Sequence, residues 1–192
     1  TGRVFISKYV NRSNTDIYEY YLDGEKIYGM PTPKLRESDR LTKNSAIETE
    51  PALSPDGRYL ALISDRTGSP QVYVRDMQRK KLTRITENGN YNVSPSWSPD
   101  GKFIAYASRR SGVSSIYRID PKSKEENRVT PKNMNAESPS WSPDGSMIAF
   151  SGKKGGDWKI YYSLSSGGQA VRLTNSKAGL QETMPSWGPS LR

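Results

Sequence analysis

The chain contains no cysteine and no histidine among its 192 residues. Without cysteine it can form no disulfide, no thiolate zinc site and no cysteine nucleophile. Without histidine it has no imidazole base, which excludes the usual catalytic triads. The sequence also lacks a Gly-x-Ser-x-Gly elbow, a phosphate-binding glycine-rich loop and a dinucleotide-binding fingerprint. We therefore expect a protein that is not an enzyme and that holds no cofactor or metal ion.

Long apolar runs are also absent, so we expect no insertion into a membrane. The chain opens on Thr1 instead of Met, which favours a trimmed segment whose signal peptide or upstream domain has been removed. The lack of cysteine suits a cytosolic protein and a bacterial envelope protein equally well.

The charge balance is basic, with 29 Lys and Arg against 20 Asp and Glu, a formal net charge of +9. Such an excess attracts acidic partners in general, namely nucleic acid, anionic lipid or an acidic protein face, and it is also typical of a simple soluble surface. The cations alternate with glutamates and form no unbroken stripe, so we do not expect a nucleic-acid-binding protein.

The main positive feature of the sequence is a repeat of 44 residues. Four Arg-apolar-Thr triplets end at the evenly spaced residues Thr42, Thr86, Thr130 and Thr174. Three full copies run from Pro51 to Thr86, from Pro95 to Thr130 and from Pro139 to Thr174. The first copy is 11 residues longer between Tyr18 and Thr42, which predicts an inserted loop around Gly24 to Lys34.

Each copy is predicted to form four short strands, a to d. Strand a is a Pro-x-apolar-Ser segment, and a Ser-Pro-Asp-Gly turn joins it to an apolar strand b. Proline sets the second position of that turn and glycine supplies the positive φ at its exit. Strand c alternates around an apolar-Tyr pair, and strand d ends in the Arg-apolar-Thr triplet. No stretch shows a helical period, and four antiparallel strands in 44 residues are typical of a propeller blade.

The fold class is therefore all-β, a single β-propeller domain of four-stranded antiparallel blades over residues 1–192. We place the blades approximately at residues 1–42 together with 184–188, 48–86, 92–130 and 136–174. The first copy lacks strand a, and Pro185–Gly188 forms a strand a with no repeat after it. We expect this last strand to complete the first blade and close a four-bladed monomer, or to close between two chains of a homodimer.

Three tryptophans occupy the same place in strand a, which are Trp97, Trp141 and Trp187. They indicate either an aromatic ligand platform or packing between neighbouring blades, and we favour packing because large aromatic side chains dominate such cores.

The repeats resemble the TolB-type, WD-like β-propeller family. The residues that carry the resemblance are Pro95-Ser96-Trp97-Ser98-Pro99-Asp100-Gly101, Phe103-Ile104-Ala105-Tyr106, Ile116-Tyr117 and Arg128-Val129-Thr130, and the other full copies keep the same order. The resemblance implies a protein-interaction platform in the bacterial periplasm, with partners such as the peptidoglycan-associated lipoprotein. TolB itself has six blades behind an α/β domain, whereas this sequence has four repeats and no such domain. Similar repeats form the non-catalytic propellers of prolyl-oligopeptidase-like peptidases.

The preferred function is accordingly a non-catalytic protein–protein interaction scaffold of the bacterial envelope. The alternative is an accessory, substrate-gating propeller of a prolyl-oligopeptidase-like or other envelope hydrolase. In a four-stranded blade the b-to-c and d-to-a connections lie on one face, which we expect to bind a protein or peptide of complementary charge. A mixed solvated surface is the competing interpretation. The predicted contact residues are Arg12, Arg66, Arg109, Arg110, Lys153, Lys154, Glu48, Tyr91, Glu137 and Glu182.

The recurring strand-d arginines, Arg40, Arg84, Arg128 and Arg172, have two interpretations. They could contact an acidic partner around the rim, or protect the outer edge of each sheet from pairing, which we favour.

Overall fold

A computed structural model of the chain describes residues 2–11, 13–22 and 40–188. Over these residues the secondary structure is entirely β, and no helix that could cross a membrane is found in them. The strands are β1 (Gly2–Asn11), β2 (Asn14–Leu22), β3 (Glu48–Leu53), β4 (Tyr59–Ser64), β5 (Gln71–Asp76), β6 (Leu82–Arg84), β7 (Tyr91–Trp97), β8 (Ile104–Arg110), β9 (Val113–Ile119), β10 (Glu126–Arg128), β11 (Asn135–Trp141), β12 (Met147–Lys153), β13 (Lys159–Leu164) and β14 (Val171–Arg172).

The strands form four antiparallel sheets that follow chain order. Three sheets have four strands each, in the orders β3-β4-β5-β6, β7-β8-β9-β10 and β11-β12-β13-β14. The first sheet pairs β1 with β2, and Arg40 forms an isolated bridge to Tyr18 where strand d of that blade is expected. The predicted all-β class and four-stranded blades are thus confirmed. The loop predicted around Gly24 to Lys34 lies outside the described residues.

The Ser-Pro-Asp-Gly turns form because their side chains satisfy the turn backbone. In the second blade the Ser54 hydroxyl donates to Asp56 Oδ1 (2.5 Å) and accepts from the Tyr59 amide (2.9 Å). The Gly57 amide donates to the Ser54 carbonyl (2.8 Å), and Gly57 has a φ of 70°. The same serine-to-aspartate bond recurs at Ser98 and Ser142. These turns are therefore structural, and their aspartates serve the backbone.

Strand a starts earlier than the Pro-x-apolar-Ser segment predicts, and it contains a bulge. Register is lost between Thr49 and Ala52 in β3, and between the equivalent residues of β7 and β11. The residue before each proline has a positive φ, and these residues are Glu50 (51°), Ser94 (55°), Ser138 (53°) and Met184 (57°). An inserted residue of this kind bends the innermost strand and redirects the side chains beside it.

Blades two to four pack face to face through their apolar strands. Ile104 and Tyr106 of β8 pack on β4 and β5, and Trp97 packs at the edge of the same cluster. Trp141 is 7% exposed and packs with Ile148 and Phe150. The indole Nε1 of each tryptophan donates to a carbonyl of the preceding blade, Trp97 to Ala52 (3.0 Å) and Trp141 to Ser96 (2.9 Å). These two tryptophans therefore hold neighbouring blades together, as their packing interpretation predicts.

The predicted closure by Pro185–Gly188 is not found. This segment forms no strand, and the Trp187 amide donates to Ser140 Oγ of β11 (3.1 Å), while the Met184 amide donates to Ser151 Oγ (2.9 Å). The segment thus lies beside the fourth sheet as each strand a lies beside the preceding blade. Between residues 182–188 and the described parts of β1 and β2 there is no hydrogen bond. Leu173 is 57% exposed, although the equivalent Val129 is fully buried between blades, so the outer side of the fourth blade is uncovered.

Candidate functional site

The b-to-c turns and d-to-a connections meet on one face of the molecule, here called the connection face. The Ile47 amide donates to Asp65 Oδ1 (2.7 Å), and the Asn92 amide donates to the Pro70 carbonyl (2.9 Å). Each bond joins a b-to-c turn to the start of a strand a. The sequence argument for this face therefore agrees with the contacts of the structure.

Beneath this face the Arg-apolar-Thr triplet forms a repeated polar clamp. The Thr hydroxyl accepts from a strand-c amide in every blade, for example from Val72 to Thr86 (3.1 Å) and from Ile116 to Thr130 (3.1 Å). The arginine Nε donates to the carbonyl of that same threonine in all four blades, at Arg40 (3.0 Å), Arg84 (2.6 Å), Arg128 (2.9 Å) and Arg172 (2.5 Å). The recurring arginines thus fix the end of strand d, a role that neither sequence interpretation included.

Glu48 was predicted to contact a partner, but it is fully buried. Its Oε1 accepts hydrogen bonds from Asn44 Nδ2 (2.8 Å) and Ser64 Oγ (3.2 Å), and it forms an ion pair with Arg66. Arg66 keeps about a third of its side chain exposed, at 33%. The prediction is wrong for Glu48, because its side chain is buried against Asn44 and Ser64 instead of exposed on the connection face. Arg66 serves chiefly to neutralise that buried carboxylate.

Arg110 is engaged in a second internal cluster. Its guanidinium donates to both carboxylate oxygens of Glu126 (2.7 and 2.8 Å) and stacks over the Tyr117 ring, with the guanidinium carbon 3.7 Å from the ring centroid. The buried Tyr106 hydroxyl donates to Glu126 as well (2.5 Å). Burial opposes ionisation of Glu126, yet the hydrogen bonds from Arg110 and Tyr106 lower its pKa below the usual value. Burial, reinforced by Glu126, raises the pKa of Tyr106.

Arg66, Arg110 and Lys154 occupy the same position in the second, third and fourth blades. The two arginines have internal partners, whereas the lysine of the fourth blade has none among the described residues. Ser64 and Ser108 accept from the Nε of Arg66 and Arg110, respectively, both at 3.0 Å. Gly152 replaces the serine in the fourth blade, where Lys154 takes the arginine's place and is exposed. Lys154 therefore remains available to a partner.

Glu182 is half-buried and also has internal partners. It accepts from the Thr174 hydroxyl (2.5 Å) and lies 3.8 Å from Lys159 Nζ, a lysine that is 4% exposed. The Thr174 hydrogen bond lowers the pKa of Glu182, and the charge of Lys159 adds to that effect. These bonds anchor the C-terminal segment to the fourth blade.

Three of the remaining predicted residues, Tyr91, Arg109 and Glu137, come together at one cleft. A cleft of about 250 Å³, here called the axial cleft, is lined by the strand-a ends of three successive blades and by Met184. Tyr91, Arg109 and Glu137 line it and are exposed, and Glu50 joins them. The Ser94 amide donates to Glu50 Oε2 (2.5 Å), which links two blades across the cleft. Two carboxylates, one guanidinium and one phenol are thus exposed in this cleft.

Lys153 is half-buried and Lys154 exposed next to it, at the end of β12. Arg12 lies outside the described residues. Residues 2–11, 13–22 and 40–188 contain no group of three or more potential metal-ligating side chains. Met184 and the serines at the bulge were missed as cleft residues, although their shared place directly before a proline in each repeat marks them in the sequence.

Comparison with known proteins agrees with this architecture. A family model described as the TolB beta propeller domain matches residues 19–191. The Tol-Pal system protein TolB of Bordetella pertussis is 50% identical over 34 residues, which are 18% of this chain and 8% of that protein.

Solved structures extend the likeness to nearly the whole chain. TolB from Acinetobacter baumannii superposes with a TM-score of 0.76 at 26% identity, over 98% of this chain and 44% of that one. A putative TolB from Agrobacterium tumefaciens gives 0.75 at 24% identity, over 96% and 65%. Puromycin hydrolase gives 0.74 at 16% identity, over 98% and 31%, which shows a shared fold alone. This chain therefore spans less than two thirds of the length of each of these relatives.

Proposed function

The chain belongs to the TolB beta-propeller domain family, and from this premise we propose that it is a non-catalytic protein-interaction scaffold of the bacterial cell envelope. The TolB relatives are named as components of a Tol-Pal system. A corresponding role for this chain would place it in the periplasm with a protein partner.

The observation that supports this proposal best is the axial cleft. It is a concavity built from several blades, and the side chains of Tyr91, Arg109 and Glu137 that line it are exposed. Tyr91 offers an aromatic contact of the kind that is enriched in protein interfaces. Glu50 and Glu137 provide acceptors for a basic or amide group of a bound polypeptide.

Three cations that form no ion pair within the described chain lie on the connection face together with the axial cleft. Arg109, Lys153 and Lys154 have no side-chain ion pair with any other described residue, in contrast to Arg66 and Arg110. Acidic side chains of a polypeptide bound in the axial cleft could therefore form charge pairs with these three cations. Such charge pairs on a rim mainly raise the association rate.

The experiment is to measure association of the full chain with the peptidoglycan-associated lipoprotein at low salt, by biolayer interferometry. The double variant Arg109→Glu/Lys154→Glu should slow association about tenfold, because like charges now face the acidic partner. A matched control is Lys80→Glu/Lys102→Glu, which reverses two exposed lysines in turns of the opposite face and so makes the same change in net charge. Unchanged association in the double variant, or an equal loss in the control, would refute the proposed face.

The alternative function is a gating propeller of an envelope hydrolase. The likeness to puromycin hydrolase supports it only through the shared fold. A hydrolase domain would have to lie outside these 192 residues. Detection of such a domain in the complete gene product would replace the scaffold proposal with this one.

A further inference from the structure

A second concavity lies between the second and third blades, on the face opposite to the connection face. It has a volume of about 240 Å³ and is open to solvent, and we call it the inter-blade cleft. Its floor is apolar, formed by Tyr59, Val74, Ile85 and Trp97. The residues at its rim are Arg79 and Lys81 of the β5–β6 turn and Lys122 of the β9–β10 turn.

Comparison of equivalent positions explains why the apolar floor of this cleft is open to solvent. One repeat later, Arg118 occupies the position of Val74, and its guanidinium carbon lies 4.7 Å from the centroid of the Phe103 ring. Arg118 therefore covers the aromatic ring between the third and fourth blades with its own side chain. Val74 is too short to do the same over Tyr59. The Arg58 guanidinium carbon lies 5.2 Å from the centroid of the Tyr59 ring, but the apolar floor described above is still open between the second and third blades.

The rim of the inter-blade cleft is positively charged. Arg79, Lys81 and Lys122 are exposed, and their side chains make no hydrogen bond or ion pair with another described residue. Asp76 is the only acidic residue that lines the cleft within the described chain. Its carboxylate already accepts from the backbone amides of Gln78 (3.0 Å) and Arg79 (2.9 Å). It also lies 3.8 Å from Arg58 Nη2, so one shared carboxylate stands against the three cations of the rim, which keeps a net positive charge.

The size of the cleft sets the size of its occupant. A cavity of about 150 Å³ holds a benzene molecule, so the inter-blade cleft can take one aromatic or large aliphatic side chain. An apolar group bound here would cover the floor, and carboxylates beside it would meet the cations of the rim.

We propose that the inter-blade cleft is a docking site for an acidic peptide segment of a partner protein, which inserts one aromatic or aliphatic side chain between carboxylates. The site is separate from the axial cleft and does not depend on the function proposed for that face. Apolar burial supplies affinity at the floor, and charge complementarity selects acidic over basic segments.

The test uses a fluorescein-labelled peptide, Gly-Glu-Asp-Phe-Asp-Glu-Gly, titrated with the full chain and followed by fluorescence anisotropy. Lys81→Gln/Lys122→Gln should weaken binding about tenfold, because two exposed ion pairs are lost. The matched control Lys132→Gln/Lys154→Gln makes the same charge change on the connection face and should bind as the wild type does. Val74→Arg copies the arginine of the next repeat and should abolish binding by covering the apolar floor, as Arg118 covers Phe103. A peptide with Ser in place of Phe should bind at least tenfold more weakly.

Three results would overturn the proposal. One is the absence of saturable binding up to millimolar protein. Another is an equal loss in both double-lysine variants, which would show attraction to the overall charge alone. The third is full binding by a folded Val74→Arg variant. If Val74→Arg fails to fold by circular dichroism, the lysine pair and the Phe-to-Ser peptide still decide the question.

Discussion

Replacing the three equivalent tryptophans one at a time by leucine should give a graded loss of stability. Leucine is a suitable replacement because Leu53 occupies this position in the second blade. Trp141→Leu should destabilise the chain most, since Trp141 is 7% exposed and its indole donates to the Ser96 carbonyl. Trp187→Leu should matter least, because Trp187 is 37% exposed and its recorded hydrogen bond uses the backbone amide, which leucine keeps.

The magnitudes follow from burial and from the lost donor. Exchanging a buried Trp for Leu removes roughly 70 Å² of apolar contact area, or about 2 kcal/mol. The Ser96 carbonyl left without its donor adds about 1 kcal/mol. We therefore expect about 3 kcal/mol for Trp141→Leu, about 2 kcal/mol for the half-buried Trp97 and less than about 1 kcal/mol for Trp187.

The assay is urea unfolding of the full chain followed by far-ultraviolet circular dichroism, which does not depend on the tryptophans as reporters. Comparable m-values would show that the variants unfold in the same manner. A loss for Trp187→Leu as large as that for Trp141→Leu would show that the segment Pro185–Gly188 is buried in a closed ring. That result would refute the open arrangement of the fourth blade.

Three further changes test other parts of the fold. The hydrogen bond from the Ser142 hydroxyl lowers the pKa of Asp144 to about 2, so its stabilising effect is complete above pH about 4 and is lost as the pH falls towards 2. The thermal stability advantage of the wild type over Asp144→Asn should therefore shrink over that interval, and a constant difference would contradict the turn assignment. Gly152→Ala would place a methyl group 2.6 Å from a ring carbon of Tyr161 and should cost about 2 kcal/mol in urea unfolding, whereas a neutral result would show that the ring moves freely. Glu126→Gln should cost about 2 kcal/mol and the exposed Glu87→Gln under about 0.5 kcal/mol, and equal losses would deny the cluster around Glu126 a special role.

The repeat made most of the architecture predictable. The Ser-Pro-Asp-Gly turn and the apolar run after it predict strand b at residues 59–64, and β4 covers the same residues. This success has a local cause, because turn chemistry and period-2 patterning act over a few residues. The predicted exposure of Arg109 and Tyr91 also agrees with the structure, since both follow from their place in connections at the strand ends.

Local sequence patterns do not predict the bulge in strand a or the different exposure of Glu48 and Glu50. A regular strand would place Glu48 and Glu50 on one side, as alternate residues. The bulge at Glu50 breaks that relation, so Glu48 is fully buried while Glu50 reaches the axial cleft. Non-glycine residues rarely adopt a positive φ, so strand periodicity alone does not predict the bulge. Its recurrence directly before the strand-a proline can be recognised only once the pairing of strands a and b is known.

The position shared by Arg66, Arg110 and Lys154 shows why a repeated charge is not by itself a binding residue. In two blades the arginine is held by a serine hydroxyl and a carboxylate, and the carboxylate comes from a different strand each time, Glu48 of β3 or Glu126 of β10. In the fourth blade both holding groups are absent at the equivalent places, and the lysine is exposed. Alignment of the repeats therefore finds the position, but only the contacts of each blade separate a structural cation from one that a partner can reach. The same argument separates Val74 from Arg118, because a concavity lies beside each of them but only at Arg118 does an arginine of strand c cover the aromatic ring.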